Sequence, residues 1–115
     1  MEAARIKSGL EAIRKGFSKL RNGIDSPEGI ADELYAGGII SRYARKAAQE
    51  VSLPKAAKTR NLLDAVECNA TSNPNAFLVF VEVLGEHRCY ERLCTFLRRV
   101  YGKIRRAEFA EVVLS

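Results

Sequence analysis

Apolar residues recur at Ile6, Leu10, Ile13, Phe17, Leu20 and Ile24, separated alternately by four and three positions. That period predicts an amphipathic helix with the stripe turned inward. At about 100° per residue, Glu11, Lys15, Lys19 and Asn22 lie opposite the stripe, while Lys7, Arg14 and Arg21 line one flank. Gly9, Gly16 and Gly23 recur every seven residues. A mid-helix glycine costs about 1 kcal/mol against alanine, so a bend near Gly16 and a stop at Gly23 are expected.

Ser26-Pro27-Glu28-Gly29 is a helix-start signal, with Ser26 as N-cap and Pro27 at the first helical position, where its missing N–H costs nothing. This second helix is expected to run to about Tyr35 and to stop at Gly37-Gly38. Ile39-Ile40 then form a buried corner, and Ser41 caps a short third helix through Val51. Leu53-Pro54 breaks it, and Pro54 opens a fourth helix whose inward face is Thr59, Leu62, Leu63 and Val66, ending near Cys68. The polar run from Asn69 to Asn73 reads as a loop, with Asn73-Pro74 as cap and first residue of a fifth helix. That segment carries Phe77, Phe80, Val81 and Leu84. A buried strand over 77–84 fits the same residues, but it would have no partner for its backbone between helical neighbours, so a helix is expected. A sixth helix turns Tyr90, Leu93, Cys94, Leu97 and Val100/Tyr101 inward and ends at Gly102.

The outcome is an all-α chain: six amphipathic helices joined by short turns in an antiparallel bundle. Residues 1–102 form one domain, and residues 103–115 a charged C-terminal extension or linker. The length of 115 residues, 47% hydrophobic and 29% charged, suits a single soluble domain. No apolar run approaches the roughly 20 residues that span a bilayer, and the start lacks the apolar core of a secretory signal, so no membrane partner and an intracellular location are expected. Three cysteines, Cys68, Cys89 and Cys94, lack paired spacing and read as buried thiols of a reducing compartment, the cytoplasm.

The net charge of +5 is unevenly laid out. Residues 1–22 carry six Lys/Arg and two Glu, 23–40 four acids and no base, 41–60 six bases and one acid. Residues 61–87 hold four acids and no Lys/Arg, and 88–106 seven bases and one acid. Alternating blocks on successive helices give one small body faces of opposite sign, which favours docking of like onto like.

No catalytic constellation is visible, and the chain reads as a non-enzyme. The single histidine, His87, sits in a polar turn with no acid/base partner apparent from the sequence. Cys68, His87, Cys89 and Cys94 match no usual zinc spacing, and no nucleotide-binding glycine loop is present, so no metal or cofactor is expected.

Four stretches carry a family resemblance. Ile30-Ala31-Asp32-Glu33-Leu34-Tyr35-Ala36-Gly37-Gly38-Ile39-Ile40-Ser41 resembles the second helix and following turn of a caspase recruitment domain. Thr59-Arg60-Asn61-Leu62-Leu63-Asp64-Ala65-Val66 is similar to the fourth helix of that family. Asn75-Ala76-Phe77-Leu78-Val79-Phe80-Val81-Glu82-Val83-Leu84 is similar to its fifth, and Leu93-Cys94-Thr95-Phe96-Leu97 to its sixth. The pieces fall in the family's order over about residues 5–102, and Gly16 stands where the family's first helix tends to bend.

The resemblance implies a six-helix Greek-key bundle, the death fold, acting as an adaptor in apoptotic or innate-immune signalling. Its partners would be other caspase recruitment domains, its own copies or those of a caspase or adaptor, assembled into oligomers or filaments. It also implies a basic patch of Arg14, Lys15 and Lys19 on the first helix with Lys58 and Arg60 on the fourth. The matching acidic patch is Asp32 with Glu28 and Glu33. Arg42, Arg45 and Lys46 depart from the family's acidic third helix and bias the domain towards the basic role. A sibling subfamily, a pyrin or death-effector domain, would keep the same function class. The rival from another class is a small basic nucleic-acid binder with Arg98, Arg99, Lys103, Arg105 and Arg106 as its footprint, against which the acidic blocks argue.

Overall fold

A computed structural model describes the backbone of residues 2–114 and the side chains of residues 3–107. It contains α1 (Glu2–Gly23), α2 (Pro27–Ala36), α3 (Arg42–Ala48), α4 (Lys55–Ala70), α5 (Ala76–Gly85) and α6 (Glu91–Leu114), with a 3-10 turn at Arg88–Tyr90. No strand occurs among the described residues. The ambiguous run 77–84 is helical because Phe77, Phe80, Val81 and Leu84, at helical spacing, all reach one core, while Leu78 and Glu82 face outward.

α1 packs against α4, α5 and α6, and α2 packs against α3, α4 and α5. Between them Ile13, Leu20, Ile30, Leu34, Leu62, Leu63, Phe80 and Leu97 are fully buried. Leu10, Phe17 and Leu93, also expected inward, are only half-buried at its margin. Phe77 and Tyr101 stack at 4.7 Å between ring centroids and tie α5 to α6.

α1 is assigned helical without a break through Gly16, and that glycine stands where α1 closely approaches its neighbours. A Cβ at Gly16 would meet Leu97 of α6 at 2.7 Å, one at Gly23 would meet Leu93 at 3.0 Å, and one at Gly9 would meet the Phe77 Cβ of α5 at 2.9 Å. The seven-residue spacing places all three on the side of α1 that receives its neighbours.

The helix ends follow local chemistry, with several shifts from expectation. Pro27 opens α2, but the Ser26 side chain does not cap it; the Ser26 N–H donates instead to the Tyr90 hydroxyl at 2.9 Å. α2 ends in a Schellman turn: Ile39 N–H donates to Leu34 C=O, Gly38 N–H to Tyr35 C=O, and Gly38 takes φ +75°. Ser41 caps α3 by accepting from Ala44 N–H at 3.1 Å. α3 stops at Ala48 rather than Val51, because residues 49–53 turn ahead of Pro54, which disfavours helix in the residue before it. Pro54 is the extended N-cap of α4 rather than its first helical residue, and α4 continues past Cys68 to Ala70. α5 begins at Ala76 rather than Pro74, since 73–75 fold as a turn in which Asn75 N–H donates to the Asn73 side chain. α6 passes through Gly102 without a break, and Ile104 joins the core. The side chains of 108–115, most of the expected extension, lie outside the described residues.

Phe80→Ala should lower stability by about 3–5 kcal/mol through the cavity it leaves. Gly9→Ala should lower it by about 1–3 kcal/mol, because the new methyl strikes a Cβ that moves only with its backbone. Gly29→Ala, with open space around it, should instead raise stability by up to about 1 kcal/mol. Urea unfolding of the three variants checks this, and a stabilising Gly9→Ala would contradict the close-approach account.

Candidate functional site

The eight residues expected to meet a partner lie at or near the surface, and each already has a neighbour in the fold. On α1, Arg14 Nε contacts Glu67 Oε1 of α4 at 2.7 Å, Lys15 pairs with Glu11 at 3.4 Å, and Lys19 Nζ lies 4.2 Å above the Phe96 ring of α6. On α4, Arg60 pairs loosely with Asp64 at 3.9 Å, while Lys58 Nζ reaches Glu28 Oε1 of α2 at 2.6 Å.

Lys58 and Glu28, assigned to opposite docking faces, therefore neutralise one another inside one chain. Lys58's side chain is only 14% exposed. The ammonium holds the Glu28 carboxyl below the usual glutamate range, chiefly through this hydrogen bond and also through a backbone hydrogen bond. Next to it, Gln49 Nε2 donates to Asp32 Oδ1 at 2.8 Å and to the Glu28 carbonyl at 3.0 Å. Together these contacts clasp α2 to α3 and α4. What remains for a partner on the acidic side is the exposed carboxylate of Asp32, with Glu33 beside it.

Glu33 has a partner that the sequence did not reveal. Its Oε2 lies 2.8 Å from His87 Nε2, within hydrogen-bond distance. His87, for which the sequence shows no acid/base partner, thus has a carboxylate neighbour in the fold. Its ring also leans on Tyr90, with centroids 5.7 Å apart, and the Tyr90 hydroxyl in turn holds the start of α2.

The basic surface of α1 and α4 is built around two shallow recesses of about 600 and 460 Å³ that share Arg21, Arg60 and Asp64. Arg14 lines the second, so three guanidiniums flank Asp64 and Glu67. Arg21 is exposed and makes no ion pair among the described residues. Arg21, on the flank of the α1 stripe but outside the expected patch, stands seven residues from Arg14, and that offset is the signal in the sequence that places the two on one side of the helix.

On α3, the Arg45 guanidinium stacks 4.3 Å from the Tyr35 ring centroid, and Tyr43 is 86% exposed. The basic set on α6 divides between two faces. Arg99, Lys103 and Arg106 share one at helical spacing, while Arg98 and Arg105 point about 100° away, so the five make no single stripe. Of the cysteines, only Cys94 is buried, with its thiol directed at the Val81 carbonyl; Cys68 and Cys89 are exposed, contrary to expectation. Their positions on α4 and in the 3-10 turn point away from the core. Among the described residues no group of three or more His, Cys, Asp or Glu is placed to hold a metal, and no helix is long and apolar enough to cross a membrane.

The Glu28–Lys58 contact yields a pH prediction. A carboxyl depressed in the folded state contributes stability that is fully present above its unfolded pKa and is lost as pH falls through the folded one. Wild type should therefore melt above Glu28→Gln at neutral pH. That difference should shrink as the pH drops through the acid range of free glutamate and vanish below it. Thermal melts of both proteins across that range check the sign; a difference that grows towards acid would refute it.

Comparison with protein-family models, curated proteins and solved structures finds no match to this chain.

Proposed function

We propose that the six helices form the Greek-key bundle of the death fold, and that the domain is a non-enzymatic recruitment module of the caspase-recruitment kind. In this reading it binds other domains of its own fold in cytoplasmic signalling assemblies. The observation that carries the reading is the placement of unlike charge on different helices of one rigid body. Arg14, Arg21 and Arg60 surround a recess between α1 and α4, whereas Asp32 and Glu33 are presented by α2. The order and lengths of the helices support it, as does the Gly37-Gly38 turn that buries Ile39 and Ile40.

A contact between the α1/α4 face of one copy and the α2 face of another is heterologous. Such a contact need not close, so it propagates into a filament or open oligomer. The internal pairs set its strength. Arg60 and Asp64, at the outer limit of an ion pair and largely exposed, are tied by no more than a few tenths of a kcal/mol, and Arg60 is readily released to a partner. Lys58 and Glu28 are already committed to each other and serve the clasp. The basic α3 leaves the acidic face small, which suits a domain acting mainly as the cationic partner.

Arg60→Glu should abolish self-assembly or binding of an acidic-faced recruitment domain with little change in melting temperature. Asp32→Arg should also abolish assembly, with a lower melting temperature because the Gln49 contact is lost, and Asp32→Asn gives the milder test because it keeps an oxygen for Gln49. Each reversed-charge variant retains one intact face, so mixing the two should give a capped heterodimer or short oligomer. Sedimentation velocity at moderate salt reads wild type, the three single variants and the mixture. If both single variants assemble as wild type does, the charge-patch mechanism is wrong.

A further inference from the structure

A groove of about 710 Å³ runs between α1 and α6, outside the surfaces invoked for recruitment except where Arg14 and Lys15 reach its rim. Its floor is apolar: Leu10 and Val100 are half-buried and Ile104 is buried. Lys7 and Lys15 stand over it from α1 and Lys103 from α6. The single carboxylate among the described lining residues, Glu11, is engaged by Lys15 at 3.4 Å. Lys7 and Lys103 make no ion pair among the described residues.

We propose that this groove binds an acidic amphipathic helix of a partner protein, seated with its apolar ridge on Leu10, Val100 and Ile104 and its carboxylates against Lys7 and Lys103. The occupant must supply apolar side chains to a recessed floor and negative charge to both walls at once. A helix with one apolar edge and flanking Glu or Asp does this, in the manner of helix-in-groove recognition. A single-stranded nucleic acid offers charge, but its bases need rings to stack on, and the described lining residues include none. A membrane surface needs protruding apolar side chains, whereas Ile104 is 6% exposed at the bottom of a concavity. The floor residues Val100 and Ile104 are one turn apart on α6, and Lys7, Leu10 and Arg14 mark two turns of α1, a footprint of roughly 10 Å along the helix axes. That length accepts two successive anchors of the incoming helix. The site does not depend on the domain assembling with its own kind.

The test uses the full chain and a fluorescein-labelled peptide of about 14 residues, with leucines at i, i+3, i+4 and i+7 and glutamate and alanine elsewhere. Fluorescence anisotropy near physiological salt keeps distant charges screened. Lys7→Glu combined with Lys103→Glu should weaken binding about tenfold or more. Arg42→Glu combined with Lys46→Glu changes net charge equally at α3, and should leave the affinity within about twofold. Replacing the peptide's leucines by serine should abolish binding, and circular dichroism should show both double variants as helical as wild type. Equal weakening by both double variants, or undiminished binding of the serine peptide, would overturn the proposal. So would failure of wild type to bind the acidic peptide, as would a preference for phosphatidylserine vesicles or a single-stranded oligonucleotide through the same two lysines.

Discussion

The close approach of α5 and α6 to α1 is the contact on which the remaining structure depends. α1 contributes the inner apolar stripe and, on adjoining positions, glycines where a side chain would strike the Phe77 Cβ or force Leu97 or Leu93 to shift. Each glycine weakens the isolated helix, and that loss is offset only after the neighbours dock and fill the space with side-chain contacts. Helix and bundle are therefore stable together or not at all. Once α5 and α6 are seated, Phe80 and Leu97 complete the core, Phe77 can stack on Tyr101, and Tyr90 is fixed where its hydroxyl receives the start of α2.

Against this apolar frame, the charged side chains do two different jobs. Lys58, Glu28, Gln49 and Asp32 form a connected clasp at the junction of α2, α3 and α4, where the short α3 has few buried residues of its own to hold it. Partial burial makes the Lys58–Glu28 contact stronger than the loose Arg60–Asp64 pair, which stays close to solvent. Arg21, Lys7 and Lys103 make no ion pair among the described residues, so within that set they add positive charge to the surface. The sequence's alternating charge blocks are therefore not simply faces: some opposite blocks cancel internally, and the surplus is what solvent and partners meet.

Features decided within one or two turns of chain were legible from sequence. The α1 stripe, Pro27 at a helix start, the Ser41 cap and the Gly37-Gly38 stop all rest on backbone geometry that nearby residues impose. Boundaries at Ala48 and Ala76 were misplaced because each depends on competition between a helical turn and a polar loop turn, which periodicity does not weigh. The candidate site was legible as exposed charge but not as pairing. Glu28 meets Lys58 across 30 positions and Glu33 meets His87 across 54, and nothing in local spacing brings these together. Gly16 illustrates the same limit, since the neighbour it makes room for is Leu97, 81 positions away in sequence.

The two surfaces proposed for binding are not independent, because α1 lies between them. Arg14 lines both the α1/α6 groove and the α1/α4 recess, and its guanidinium is held by Glu67 at 2.7 Å. A carboxylate arriving from either side must compete with Glu67 for the same fork of donors, and planar guanidinium geometry serves one bidentate partner well at a time. An acidic helix that draws Arg14 towards α6 would thin the cationic rim available to an acidic recruitment face at α4. Linkage makes the effect reciprocal: whatever affinity one ligand removes from the other's site, the second removes from the first. The coupling through one shared side chain is bounded by what that side chain contributes to each contact, so it would tune assembly rather than forbid it.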